Sequence, residues 1–405
     1  MLDDFGQRIR DIILSEMDLS RELSDEEICD LIGSVVSREA RDRPMTIKDR
    51  AELERTIFNS LRKLDVLQEL VDDRDVTEIM VNGPNDIFYE KAGRIQRFKG
   101  HFSSEEKLED VIQQIVGRHN RVVNQASPIV DTRLSDGSRV NIVLNPISIG
   151  GSAVSIRKFP EHPMSMERLV EIEALSPEVA RLLQILTQAK YNIFISGGTG
   201  SGKTTFLNAL SQYIPDDERI ITIEDSAELQ LLGAKNIVRL ETRNANTDGV
   251  TPITIRDLIR TALRMRPDRI IVGECRGAEA LDMLQAMNTG HDGSLSTGHA
   301  NSPHDIISRI ETMVLQGQDF PLNAIRQQIA SGIDIIVQLG RLRDKSRRVL
   351  EISEVDEFMD GEIVLHTLYR FEETAVLDSG RIQGFLKKAG TLCHTDKLMA
   401  AGLSV

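Results

Sequence analysis

The chain of 405 residues has no tryptophan, only three cysteines and few aromatic side chains, which make up 4% of the sequence. Cys29, Cys275 and Cys393 are far apart and form no Cys-x-x-Cys pair, which excludes a disulfide framework and a four-cysteine zinc site. This cysteine usage is typical of a reducing compartment. The scarcity of aromatic rings also argues against a groove in which nucleic-acid bases stack.

Excess positive charge and long apolar runs are missing as well. The formal net charge is −14 at pH 7, so the overall electrostatics predict no nucleic-acid partner. No run of about 18 apolar residues occurs, which predicts that no segment spans a membrane. The N-terminal residues are charged and lack the apolar core of a signal peptide. Together these features predict a cytoplasmic protein.

The pattern along the chain predicts four regions: a helical N-terminal region at 1–70, a mixed α+β domain at 71–160, an alternating α/β domain at 161–350, and C-terminal strands with a tail at 351–405. In the first region Ser24 and Glu27 are spaced as a helix capping box, and mixed-charge polar faces favour a small bundle over a membrane-surface helix. Pro160 and Pro163 mark a linker. The alternation that follows predicts a parallel sheet covered by helices on both faces.

A phosphate-binding loop is the clearest motif. The stretch SGGTGSGKTTFLNAL, residues 196–210, follows the apolar run YNIFIS and opens an amphipathic helix, which is the strand–turn–helix context that the motif requires. Glycines let backbone N–H groups point into one concavity, and a helix N-terminus favours anions. Lys203 is expected to reach the β and γ phosphates, and Thr204 to hold Mg²⁺. The residues predicted to hold the nucleotide are Gly198, Thr199, Gly200, Ser201, Gly202, Lys203, Thr204 and Thr205.

Two predicted strands end in carboxylates. RIITIED ends in Glu224 and Asp225, and RIIVGE ends in Glu274, with Gly273 where an aspartate is usual. A nucleotide hydrolase needs acids at neighbouring strand ends to place Mg²⁺ and to orient water. Glu224 and Glu274 are therefore the candidate acids, and solvated strand-end carboxylates are the simpler alternative.

The segment NTGHDGSLSTGHANS, residues 288–302, carries His291 and His299 among glycines and hydroxyl side chains. Imidazoles beside a phosphate site can contact the γ-phosphate and respond to its loss. A zinc site is disfavoured because the pair has no third or fourth ligand nearby. The guanine-specificity motif Asn-Lys-x-Asp is absent, which weighs against a switch GTPase.

In their order, these motifs resemble those of the secretion and pilus motor ATPases of the type II/type IV secretion superfamily. The shared elements are the Walker A loop GGTGSGKTT, the Asp box ITIEDSAEL, the atypical Walker B strand RIIVGE and the His box GHDGSLSTGHA. The upstream stretches VTEIMVNGPNDIF and DTRLSDGSRVN are similar to the CpaF branch, the motors of tight-adherence pili. The resemblance implies an α/β fold: a RecA-like P-loop ATPase domain, preceded by a PAS-like mixed α+β domain and a helical region.

The resemblance also implies roles for individual residues. Glu274 matches the Walker B glutamate, the candidate base for the attacking water, and Glu224 matches the Asp-box acid. Both acids, together with Thr204, are the expected partners of Mg²⁺. His291 and His299 match the His-box positions, with His299 counted among the catalytic residues and His291 among those that contact the nucleotide.

Arginines complete the implied site. Arg139, Arg157 and Arg133 lie in stretches from which the family's N-terminal domain reaches the γ-phosphate, where fixed cations stabilise a transferring phosphoryl group. The family pattern implies a ring of six chains that uses ATP and Mg²⁺, with a hinge at 160–164. Such a ring would act on an inner-membrane platform protein and associate with that membrane only through its partners.

Three alternatives stay open. Type IV secretion ATPases carry the same four boxes, and a nucleotide-gated scaffold with little turnover would need the same loop. A nucleic-acid-remodelling RecA-like ATPase is disfavoured by the acidic charge. The four-cysteine zinc insertion that is usual in extension motors of type II secretion and type IVa pili is absent, which disfavours that branch.

Overall fold

The computed structural model describes residues 4–17, 21, 23–41, 45–91, 93–118, 122–159, 163–231, 233–243 and 251–405. The chain divides into two compact units, Met1–Glu161 and His162–Val405. The hinge expected at 160–164 falls mostly outside the described residues. The finer division into four regions stays a prediction.

Three helices open the first unit: α1 (Asp4–Glu16), α2 (Asp25–Glu39) and α3 (Ile47–Arg62). The predicted capping box is present at the start of α2, where the Glu27 N–H donates to Ser24 Oγ at 3.2 Å and the Ser24 N–H donates to Glu27 Oε2 at 2.8 Å. The apolar stripes of the three helices meet in a small core that includes Ile9, Ile32 and Ile57. Mutual burial of these stripes explains why helices with charged outer faces are stable here.

An antiparallel sheet forms the rest of the first unit. A 3₁₀ turn at Asp65–Leu67 and the short helix α4 (Gln68–Asp72) precede it, and α5 (Glu105–Gly117) packs on it. Its strands are β1 (Val76–Asn82), β2 (Ile87–Lys91), β3 (Arg94–Arg97), β4 (Ile129–Arg133), β5 (Arg139–Val143) and β6 (Ala153–Arg157). Within the described residues their order is β3-β2-β1-β6-β5-β4. Alternate apolar residues of the strands share one core with α5.

The second unit is built on a larger sheet. Its strands are β7 (Ile193–Gly197), β8 (Arg219–Glu224), β9 (Asn236–Glu241), β10 (Arg269–Val272), β11 (Leu295–Gly298), β12 (Ile335–Arg341), β13 (Arg347–Met359), β14 (Glu362–Val376) and β15 (Ile382–Lys388). The described strands follow the order β15-β14-β13-β12-β7-β11-β10-β8-β9. Pairing is parallel from β12 to β9 and antiparallel from β12 to β15. The strands expected after residue 350 therefore continue the same sheet.

Helices cover both faces of this sheet, as the alternating sequence predicts. They are α6 (Met166–Glu171), α7 (Pro177–Gln188), α8 (Lys203–Ser211), α9 (Ile255–Ala262), α10 (Glu279–Asn288), α11 (Pro303–Gly317), α12 (Leu322–Gly332) and α13 (Asp396–Ala401). Neighbouring residues of β7 alternate between two cores, with Ile193 and Ile195 facing α7 and α8 and Phe194 facing α9 to α12. Both faces of the strand are buried, in keeping with its apolar residues Ile193 to Ile195.

No helix in the described part of the chain combines the length and apolar character needed to cross a bilayer.

Candidate nucleotide-binding site

The glycine-rich loop joins the end of β7 to the first residue of α8, which is Lys203. Gly200 and Gly202 have φ angles of +72° and +96°, which favour residues without a Cβ. A Cβ on Gly197 would lie 2.5 Å from Ser201 Oγ and 2.7 Å from the Leu339 carbonyl oxygen. Glycine at 197 therefore lets the loop lie close against β12, and glycines at 200 and 202 allow the left-handed backbone that leads into α8.

Lys203 is buried and makes hydrogen bonds with several groups at the loop. Its Nζ donates to the carbonyl oxygens of Gly197 at 3.0 Å and Gly198 at 3.3 Å, and lies 3.2 Å from His299 Nδ1. A buried ammonium needs such acceptors because its desolvation is costly. In the first turn of α8, Thr204 is half-buried and Thr205 is exposed.

The carboxyl ends of β7, β8, β10 and β11 meet at one edge of the sheet because these strands are parallel and adjacent. This edge gathers the loop after β7, Glu224 at the end of β8, Glu274 after β10 and His299 after β11. The sequence prediction that these residues lie near one another therefore agrees with the topology. Their roles in catalysis stay predictions.

Glu224 is buried, with only 4% of its surface exposed. Its Oε1 accepts from the backbone N–H groups of Glu228 at 2.8 Å and Leu229 at 2.9 Å, while Oε2 has no hydrogen-bond partner among the described residues. Burial raises the pKa of this carboxyl from 4.5 to about 7, against the opposing effect of the two N–H donors. A cation next to Oε2 would offset the cost of burying a carboxylate.

Gly273 stands directly after β10, at the position where an aspartate is usual. A Cβ on Gly273 would lie 2.8 Å from Glu224 Cγ and 3.3 Å from Glu224 Oε1. The side chain of Glu224, from the neighbouring strand, thus occupies the space that a side chain at 273 would need. An aspartate at 273 would therefore overlap Glu224, whose own carboxylate lies at this edge.

Glu274 is held from two sides. Arg276 Nη2 donates to Glu274 Oε2 at 2.6 Å, and His299 Nε2 lies 2.7 Å from Glu274 Oε1. Arg276 Nη1 also lies 3.5 Å from Asp225 Oδ2, which ties the carboxylate to the residue after Glu224. These contacts define the position of the Glu274 carboxylate before any substrate is bound.

His299 connects the loop lysine to this acid. A lysine ammonium can only donate, so Nδ1 accepts from Lys203, and in the neutral ring Nε2 carries the proton. The pKa of His299 is lowered by burial and then by the nearby Lys203 ammonium, which outweigh the carboxylate of Glu274. The imidazole is therefore neutral at pH 7, and it joins Lys203 to Glu274 as a single chain of contacts.

His291 does not reach this edge, which corrects the expectation that both histidines contact the nucleotide. His291 precedes β11 and His299 follows it, so they lie at opposite ends of a strand. The His291 Nδ1 lies 3.2 Å from the carbonyl oxygen of Ala286 at the end of α10. The short strand inside the His-box segment separates two residues that look like one cluster in the sequence.

The three candidate arginines belong to the first unit. Arg133, Arg139 and Arg157 are direct cross-strand neighbours on β4, β5 and β6. Opposite residues in such pairs share one face of the sheet, so the three cations form a row. Arg139 Nη2 lies 3.6 Å from Asp131 Oδ1. Whether the row acts on a nucleotide stays a prediction.

The residues present fit a magnesium–nucleotide complex better than a free metal ion. In the described parts of the chain, no group of three histidine, cysteine, aspartate or glutamate side chains could hold a metal. Mg²⁺ in nucleotide sites usually takes one or two protein ligands and completes its shell with phosphate oxygens and water. Thr204 and Glu224, whose Oε2 has no donor, are suited to that role, as is Glu274 through a water.

Sequence reasoning missed two arginines at this edge. Arg276 stands two residues after Glu274, and that short spacing was an available signal. Arg347, the first residue of β13, donates from Nε to the carbonyl oxygen of Gly200 at 2.9 Å. No local pattern could have identified Arg347, because the two residues are far apart in the chain.

The chain is similar to several known proteins. A family model described as type II/IV secretion system protein matches residues 60–383. The conjugal transfer protein TrbB of Rhizobium radiobacter is 31% identical over 81% of this chain and 98% of its own length. The type IV secretion system protein PtlH of Bordetella pertussis is 33% identical over 71% of this chain and 93% of its own length. The crystal structure of the pilus retraction motor PilT with ADP aligns with a TM-score of 0.54 and 22% identity over 82% of this chain and 84% of that one, which supports the predicted fold class.

Proposed function

The chain belongs to the type II/IV secretion system protein family, and on that premise we propose that it is an ATP-hydrolysing motor of a secretion or pilus apparatus. The match spans both units. The more specific assignments, to ATP, to a hexameric ring and to a membrane platform partner, are parts of this proposal.

One observation carries the proposal. Lys203 of the phosphate-binding loop contacts His299, and His299 contacts Glu274, at 3.2 and 2.7 Å. A phosphate that takes the Lys203 ammonium away from His299 would therefore alter the contact between His299 and the Glu274 carboxylate, the candidate base. A site built only to hold nucleotide does not need this connection, whereas a site that couples nucleotide binding to hydrolysis does.

The chemistry follows from these positions. Bound magnesium–ATP would supply the phosphoanhydride bond and the cation that neutralises its charge. Lys203 and the loop N–H groups would bind the phosphates, and Thr204 and Glu224 would hold the ion. Glu274 would accept a proton from the attacking water, since Arg276 and His299 orient its carboxylate.

The work step would require the two units to move relative to one another. We propose that Arg133, Arg139 and Arg157 stabilise the γ-phosphate and release it after hydrolysis, with the hinge near 160–164. A ring of six chains would pass this motion to an inner-membrane platform protein. The chain would then lie at the cytoplasmic face of that membrane through its partner.

The apparatus itself has two candidates. The CpaF-like stretches VTEIMVNGPNDIF and DTRLSDGSRVN of the first unit favour a tight-adherence pilus motor. The names of the relatives TrbB and PtlH favour conjugal transfer or type IV secretion. Deletion of the gene in its host separates them, because the first candidate predicts loss of surface pili and the second predicts loss of DNA or protein transfer with such pili intact.

Two variants test the enzymatic proposal. Lys203→Ala should lose nucleotide binding and phosphate release together, because the loop loses its cation. Glu274→Gln should lose phosphate release and keep binding, because only the base is removed. Glu167→Gln, an exposed carboxylate on α6, is the control and should behave as wild type. Retained turnover in Glu274→Gln would disprove the role of that residue.

Light scattering tests the ring. We would measure the mass of the protein with and without a non-hydrolysable ATP analogue and Mg²⁺, and assay ATP turnover in the same samples. A six-chain particle that hydrolyses ATP is expected. A monomer with unimpaired turnover would contradict the motor and favour a simple soluble hydrolase.

A further inference from the structure

Arg347, the first residue of β13, contacts the phosphate-binding loop although the two are far apart in the sequence. Its Nε donates to the Gly200 carbonyl oxygen at 2.9 Å, and its Cδ would be 3.5 Å from a Cβ on Gly202. The side chain is exposed apart from these contacts, so burial of its stem does not account for its position. The position of the side chain is therefore set by its hydrogen bond to the loop.

The loop and Arg347 are connected through neighbouring strands of the sheet. Gly197, at the end of β7, pairs with Leu339 of β12. β12 ends two residues later, at Arg341, and a turn at 342–346 leads back to Arg347 at the start of β13. The turn is braced by Asp344, whose Oδ1 accepts from the Ser346 N–H at 2.9 Å and from Ser346 Oγ at 2.6 Å. A rigid hairpin thus presents Arg347 to the loop at a defined place.

The Gly200–Ser201 peptide is the group that Arg347 fixes. Its N–H, on Ser201, donates to the Gly198 carbonyl oxygen at 3.2 Å and closes a turn whose third residue, Gly200, has a φ of +72°. Its carbonyl points the opposite way, as a trans peptide requires, and accepts from Arg347. Both ends of one peptide plane are therefore held.

We propose that Arg347 is a positioning residue for the phosphate-binding loop, and that its Nε–H holds the Gly200–Ser201 peptide in the orientation that binds nucleotide. The inference rests on the proposed nucleotide binding at this loop. A loop ordered before binding loses less conformational freedom when the phosphates arrive, which appears as tighter binding. Because Arg347 acts through the loop and not on the reacting atoms, it should affect affinity and leave the chemical step unchanged.

Two substitutions separate the hydrogen bond from the charge. Arg347→Met places a methyl group where Nε was and removes the donor. Arg347→Gln places an N–H donor the same number of bonds from Cα and removes the charge together with the two terminal guanidinium nitrogens. Arg341→Met is the matched control, since Arg341 is the exposed arginine directly opposite Arg347 on β12. The full chain would be titrated with a fluorescent, non-hydrolysable ATP analogue in the presence of Mg²⁺, and kcat and KM would be measured with ATP.

Arg347→Met should weaken binding about fivefold, which converts to about 1 kcal/mol, the usual net value of one hydrogen bond. Its KM should rise by the same factor with kcat unchanged. Arg347→Gln and Arg341→Met should both stay within about twofold of wild type. Equal losses in Arg347→Met and Arg347→Gln would assign the effect to charge and overturn the proposal, as would wild-type binding in Arg347→Met. If wild type itself does not bind the analogue, the proposed function fails, which is a separate result.

Discussion

Glu224→Gln should stabilise the nucleotide-free protein at pH 8 and leave its stability almost unchanged at pH 5. Burial raises the pKa of Glu224 to about 7, so the wild type must bury a carboxylate above that pH. Glutamine keeps an acceptor oxygen for the N–H groups of Glu228 and Leu229. Its amide is neutral at every pH, as the protonated carboxyl is at low pH.

The direction in which the free energy of unfolding changes with pH follows from proton binding. The folded protein holds this proton up to about pH 7, while the unfolded chain releases it near pH 4.5. Between these values the folded state binds more protons, so the free energy of unfolding falls as the pH rises through this window. At about 1.4 kcal/mol for each pKa unit, the wild type loses about 3 kcal/mol that the variant keeps.

Thermal unfolding of both proteins from pH 5 to pH 8, without nucleotide or Mg²⁺, measures this difference. For a unit of this size 1 kcal/mol moves the Tm by roughly 2 to 4 °C, so the variant should melt roughly 6 to 12 °C higher at pH 8. Subtraction of the two curves removes the titration of all other groups. Glu241→Gln tests the part played by a neighbouring charge, because Glu241 stands opposite Glu224 at the end of β9 and its carboxylate adds to the raised pKa of Glu224.

A Tm difference between wild type and Glu224→Gln that stays constant from pH 5 to pH 8 would refute the reasoning. It would mean that Glu224 is already ionised at pH 5, as a solvated strand-end carboxylate would be. The same pH dependence in Glu241→Gln would assign the effect to the net charge of this sheet edge and not to burial.

Three further changes have defined outcomes. Gly273→Ala should lower the free energy of unfolding by about 1 to 3 kcal/mol, because its Cβ overlaps Glu224. In a Glu224→Ala background this cost should largely disappear. Chemical denaturation of the wild type, the two single variants and the double variant measures the difference. His299→Ala should lower kcat about tenfold or more and change nucleotide affinity less than about threefold, since it removes the contact that links Lys203 to the Glu274 carboxylate; equal loss of affinity and turnover would contradict this link. Ser24→Ala should lower the stability of the first unit by about 1 kcal/mol, through loss of the α2 cap, whereas Ser34→Ala on the exposed side of the same helix should not; proteolysis rates within this unit would report the difference.

The elements of the second unit were largely predictable because each has a strong local signal. An apolar strand, a glycine turn and an amphipathic helix identify the loop around Lys203 without any long-range information. The acids Glu224 and Glu274 were found because parallel strands bring their carboxyl ends to one edge. The family assignment follows from these motifs, while the finer CpaF assignment stays a prediction.

His291 shows where local reading fails. It shares a glycine-rich segment with His299, yet β11 runs between them and places the two histidines at opposite ends of that strand. The continuation of the sheet beyond β12 is a similar case. Hairpin strands are recognisable from their pattern, but the strand that they pair with is chosen by the packing of the whole unit.

By itself, the sequence determined the phosphate-binding loop, the acidic strand ends and the alternating architecture, because these depend on residue type at short spacing. Only the tertiary structure decided that Glu224 fills the space above Gly273, that Arg276 and His299 hold Glu274, and that Arg347 contacts Gly200. These contacts join residues from different strands of one sheet. Their distances depend on strand order and register, which arise from burying two apolar cores at once and leave no mark on any short stretch of the chain.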